Sequence, residues 1–76
     1  ENTMNRSMKS ISSFRNRVAN YIRNRLRNQN PNLSLSADKV MEVSAGLVSV
    51  SWRRGKFPRD TATRALANYW KKRHAA

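Results

Sequence analysis

Apolar residues recur at spacings of three and four through the first third of the chain: Met4, Met8, Ile11, Phe14, Val18, Tyr21, Ile22 and Leu26. At about 100° per residue these positions gather into one stripe, which predicts an amphipathic helix over 5–28. The opposite side collects Arg6, Lys9, Asn16, Arg17, Asn20, Arg23, Asn24 and Arg27. Asn30-Pro31-Asn32 ends the segment, because proline cannot continue the helical ladder and biases the residue before it away from the α region. A second helix is expected over 58–73. Pro58 suits a first helical position, Asp60 lies where the helix dipole favours an acid, and Lys71-Lys72-Arg73 lie where it favours bases. Its apolar stripe is Ala62, Ala65, Leu66, Tyr69 and Trp70.

The centre carries two patterns. Ser36 can cap a short helix over 37–45 in which Ala37, Val40, Met41 and Ser44 share a face, with Gly46 as the left-handed residue beyond its end. Residues 47–52, Leu-Val-Ser-Val-Ser-Trp, alternate instead. As a strand they place Val48, Val50 and Trp52 on one side and the serines on the other. The fold expected is therefore mainly α, a single small domain over 1–76 with a helix-turn-helix-like centre and residues 1–4 as a disordered leader. An α+β arrangement, two helices around a β-hairpin over 39–52, is the alternative. The core should unite the stripes of both long helices around Val40, Val48, Val50 and Trp52. Phe57 is expected to pack inside with Trp52, since a domain this small needs every large apolar group.

Charge changes the picture from fold to partner. Sixteen Lys and Arg stand against four acids, a net charge of +12 on 76 residues. The first 28 residues hold seven bases and one acid, the last 24 hold eight and one, and the middle is near neutral. Eleven of the sixteen bases are Arg, whose planar fork suits phosphates and guanine edges. Such an imbalance points to a polyanion. The chain has no Cys, which excludes disulfides, thiolate metal sites and cysteine nucleophiles, and its one His is His74. No enzyme activity, metal or cofactor is expected. No apolar run approaches the roughly 18 residues of a membrane span.

Three segments are candidates for contact with nucleic acid. The loop Arg53-Arg54-Gly55-Lys56-Phe57-Pro58, continued by Arg59, combines three bases with a glycine that lets backbone approach DNA closely. The polar side of the first helix steps Asn16, Asn20, Asn24 and Asn28 every four residues, flanked by Arg17, Arg23 and Arg27. Asn can bind an adenine edge and Arg a guanine edge. Lys71 and Lys72 form the third, as phosphate contacts or as bases complementing the helix dipole.

Ser51-Trp52-Arg53-Arg54-Gly55-Lys56-Phe57-Pro58 resembles the close of the recognition helix in phage and plasmid helix-turn-helix regulators. Leu35-Ser36-Ala37-Asp38-Lys39-Val40-Met41-Glu42-Val43 is similar to that motif's first helix, with Gly46 near its turn. The same loop also resembles the strand–loop–helix of histone-like nucleoid-structuring silencers, in which a Trp precedes a Gly-basic-x-Pro loop that enters the minor groove. Both resemblances imply double-stranded DNA as partner. The expectation is a small transcriptional regulator, a homodimer on DNA, cytoplasmic and nucleoid-associated. Non-specific RNA binding or genome packaging is the first alternative. The second is a basic amphipathic module on a membrane surface or a protein partner, using the apolar stripe of the first helix.

Overall fold

The computed structural model describes residues 10–29 and 36–75, with the backbone alone at 74 and 75. The described residues form four helices: α1 (Ile11–Gln29), α2 (Ala37–Val43), α3 (Ala45–Arg53) and α4 (Pro58–Ala75). No strand occurs among them. The mainly α expectation holds, and the β-hairpin over 39–52 is overturned. The proposed leader at 1–4, Met4, Met8, Arg6, Lys9 and the Asn30-Pro31-Asn32 stop lie outside the described residues.

α1 begins at Ile11, and residues 5–9 of the predicted helix lie outside the described residues. Ser10 sits before the helix, where its Oγ accepts from the Ser13 N–H at 3.1 Å and its carbonyl accepts from the Phe14 N–H at 3.3 Å. That is the geometry of an N-cap, so a local hydrogen bond places the boundary where periodicity alone ran through it. At α2 the cap was legible. Ser36 has extended backbone (φ −94°, ψ 139°) and its Oγ accepts from the Asp38 N–H at 3.0 Å.

α1 and α4 form the principal helix pair, and α2 and α3 pack on both. The buried cluster takes Phe14, Val18, Ile22 and Leu26 from α1, Ala37 and Val40 from α2, Val48 from α3, and Ala62, Ala65 and Leu66 from α4. Tyr21, Met41, Leu47, Trp52, Tyr69 and Trp70 line its margin. Many of the contact positions are small: Ala19, Ala37, Ser44, Ser51, Thr61, Ala62 and Ala65 are all buried. Small side chains let helix axes approach closely, which spares a short chain the bulk of a larger core.

The break between α2 and α3 is a single residue. Ser44 (φ −106°, ψ 13°) donates its N–H to the Val40 and Met41 carbonyls and accepts from the Val48 N–H at 2.9 Å. Hence α2 ends at Val43 rather than at 45, and Gly46 lies inside α3 rather than in a left-handed turn. The glycine that does turn is Gly55, at φ +71°. There the Gly55 N–H donates to the Trp52 carbonyl at 3.1 Å and the Lys56 N–H to the Ser51 carbonyl at 3.0 Å, the paired bonds of a Schellman ending.

Two core assignments change with the helix. Val48 and Ser51 of α3 are buried in line with Ser44, the residue before it, spaced four and three apart, and Val50 faces outward at 38% exposure. An alternating pattern put Val50 inside; helical geometry turns it about 200° away from Val48. Phe57 is the larger correction. Expected in the core, it is 70% exposed.

Candidate nucleic-acid interface

All fourteen described Lys and Arg side chains lie at the surface, Arg53, Arg54, Lys56, Arg59, Arg17, Arg23, Arg27, Lys71 and Lys72 among them. Asn20, Asn24 and Gly55 are exposed as well. Exposure follows from the cost of burying a charge without a partner. Acids neutralise little of this charge. Among the described residues two ion pairs form, Arg23–Asp38 and Lys39–Glu42, each at 3.8 Å and largely solvated.

The exposed surface of α1 divides into two strips. Asn16, Asn20, Arg23 and Arg27 recur at i, i+4, i+7 and i+11, and Arg23 of this strip meets α2. Within it, Arg23 donates through Nη1 to Asn20 Oδ1 at 2.9 Å and reaches Asp38 of α2 through Nη2. The most internal arginine of that strip is thus already engaged with the protein. The second strip, Arg17, Tyr21, Asn24, Arg25 and Asn28, runs beside α4. Its register is pinned by two contacts: Arg25 Nη1 to Thr63 Oγ1 at 3.4 Å, and the Arg59 guanidinium 5.8 Å from the centre of the Tyr21 ring. A cation over an aromatic face is attracted by the ring quadrupole and orders both groups.

That second contact joins what the sequence keeps apart. Arg59 stands in the first turn of α4, and its side chain reaches Tyr21 in the middle of α1. Arg59, the last base of the Arg53–Arg59 segment, therefore meets the α1 strip at Tyr21. In this segment Arg53, Arg54, Lys56 and Arg59 have no acidic partner among the described residues. The turn is nonetheless ordered by its backbone. Beyond the Schellman bonds, the Phe57 carbonyl accepts from both the Thr61 N–H at 3.0 Å and Thr61 Oγ1 at 2.9 Å. Thr61 is buried, so this anchor is shielded from water.

Lys71 and Lys72 are not part of this grouping. They follow Arg59 by three turns of α4, about 18 Å along its axis. Near them Arg73 Nη1 donates to the Tyr69 hydroxyl at 3.3 Å. Two residues of the candidate surface were not expected there: Arg25, which was not singled out, and Phe57, which was expected to pack inside. Arg25 is one; its spacing of four from Tyr21 places it at the margin of the apolar stripe, which is the signal for it. Phe57 is the other, and its signal is Pro58: a proline at the first helical position makes the preceding residue the N-cap, outside the helix.

The centre has two helices in sequence, but one residue separates them, where the DNA-binding helix-turn-helix motif has a turn of three or four. Among the described residues no group of three or more His, Asp or Glu gathers to hold a metal ion, and no helix is long and apolar enough to cross a membrane. No family model matches the chain, and neither a curated protein nor a solved structure matches it.

Proposed function

We propose that this protein binds double-stranded DNA and acts as a small transcriptional regulator. The observation that carries the reading is the joining of the unneutralised Arg53–Arg59 turn to the Arg17/Asn24 strip of α1 through the Arg59–Tyr21 contact. One rigid surface then offers guanidinium groups, asparagine amides and an exposed turn. Arginines on the α1 strip suit phosphates, which position the protein, and Arg54 beside Gly55 suits a groove, where sequence and shape are read.

The membrane-surface alternative loses its main support, because the apolar stripe of α1 that would enter lipid is covered by the other helices. RNA recognition draws on several exposed aromatic platforms. Of the described aromatic residues, Phe57 alone is mostly exposed. We further propose that two copies bind together, since one unit this small spans little groove and a pair can occupy half-sites about one helical turn apart.

The test is competition binding. Labelled duplex is challenged with AT-rich duplex, GC-rich duplex and single strands over a range of salt. Duplex preferred over single strands, with a steep salt dependence and a preference between the two duplexes, is the expected result. Equal competition by both duplexes makes the protein a charge-driven packaging factor. Preference for single strands ends the duplex reading.

A further inference from the structure

Phe57 breaks a local rule. It occupies the N-cap of α4, where Ser, Thr, Asp or Asn would satisfy a helix N–H through a side-chain oxygen and a phenyl ring cannot. It is also the most exposed of the large apolar residues described, at 70%, and it stands among Arg53, Arg54, Lys56 and Arg59. Yet the residue is not held loosely. Its carbonyl is gripped twice by Thr61, the buried Pro58 follows it, and the Schellman turn at Gly55 precedes it. A ring that neither caps nor packs, carried on a fixed backbone within a cationic turn, is placed to act on something outside the protein.

Resting on the duplex-binding reading above, we propose that Phe57 is a wedge that enters a base step from the minor groove and kinks the DNA. The flanking bases bring phosphates to the turn, and the ring then replaces part of the stacking between two base pairs. Apolar side chains used this way bend duplexes by about 20–90° toward the major groove. Easily unstacked pyrimidine–purine steps, TA above all, are the favoured point of entry. A single exposed ring suits a wedge better than a single-strand platform, which stacks successive bases on several rings. The wedge also accounts for what the chain gives up at position 57, a stabilising cap, in exchange for an apolar tip.

The experiment measures bending by energy transfer between dyes at the two ends of a short duplex with a central TA step. It compares the wild type with Phe57→Ser, Phe57→Ala and Phe57→Trp. Phe57→Ser installs a good N-cap, so its melting temperature should equal or exceed that of the wild type, and loss of fold cannot explain its behaviour. Wild type and Phe57→Trp should shorten the end-to-end distance. Phe57→Ser and Phe57→Ala should bind about tenfold more weakly with an unchanged salt slope and leave the duplex straight. Bending by Phe57→Ser equal to that of the wild type overturns the wedge. So does a wild type that binds the duplex without shortening it, although DNA binding then stands. Absence of any duplex binding removes the underlying function instead. A Phe57→Ser defect confined to single strands, or to vesicles of phosphatidylglycerol, assigns the ring to those partners and also overturns the wedge.

Discussion

The outer face of α1 spreads its arginines among asparagines along a straight helix, whereas the turn between α3 and α4 sets four bases within seven residues around a glycine and an exposed phenylalanine. Both are cationic and both are exposed, but they are held differently. On α1 the side chains bind one another and neighbouring helices: Arg23 to Asn20 and Asp38, Arg25 to Thr63. In the turn the backbone is fixed by hydrogen bonds while Arg53, Arg54 and Lys56 have no acidic partner among the described residues. A face whose groups are partly engaged suits broad, sequence-independent contact with phosphates. An ordered backbone with uncommitted side chains suits a specific fit, because the backbone has little freedom left to lose and the side chains need break no contact within the protein to bind. Under the proposed duplex binding, the difference divides positioning and reading between two places.

The largest effect should come from the support that both regions share. Ile22 is fully buried on the inner side of α1, and Ile22→Ala should destabilise the fold by about 2–5 kcal/mol. For a domain of this size that is a large part of total stability. Urea unfolding should show it, and binding through both surfaces should fall together. Survival of turn-dependent binding in the unfolded variant would make the two regions independent, against their common core.

Next in size is the division of binding energy. Arg54→Ala should weaken a preferred duplex more than a random one, by about 1–3 kcal/mol, through loss of a groove contact. Arg17→Ala should weaken both equally and reduce the slope of log K against log salt by about one unit, as loss of one phosphate contact requires. Titrations at several salt concentrations decide this. Identical profiles for the two variants would erase the distinction between turn and helix.

The two glycines sharpen the comparison through stability alone. Neither has a heavy atom within 4 Å of where a Cβ would stand, so crowding does not enter. Gly55 has φ +71°, and Gly55→Ala should destabilise by about 1 kcal/mol. Gly46 lies inside α3, and Gly46→Ala should stabilise by about 0.5 kcal/mol. Opposite shifts in thermal midpoint are the expected signature.

Asp38→Asn should have the smallest effect. The Arg23–Asp38 pair is largely solvated, with side chains 52% and 89% exposed, so stability should change by less than about 1 kcal/mol. Freeing Arg23 should instead steepen the salt dependence of DNA binding slightly. An unchanged slope would show that Arg23 does not reach phosphate even when released.

Much of this molecule was determined by the sequence itself. The long stripes of α1 and α4 average over many positions, so single ambiguous residues do not disturb them. Ser36, Pro58 and Asp60 mark helix ends through local chemistry, and composition alone fixes the net charge of +12. What the tertiary structure decided lies where segments are short or far apart in sequence. Nine residues cannot hold a helix unaided, so α3 became one because Ser44, Val48 and Ser51 fit closely against its neighbours. That face escapes a pattern of apolar residues because two of its three members are serines, buried for their size. Val50 and Phe57 went outward for reasons of the same kind. The first was turned away by the helical period, the second was placed at the N-cap of α4, outside the helix, with its side chain 70% exposed. Likewise only folding could bring Arg59 of α4 over Tyr21 of α1. Such contacts between distant residues depend on how helices dock, and docking is settled by the summed fit of many side chains rather than by any local run.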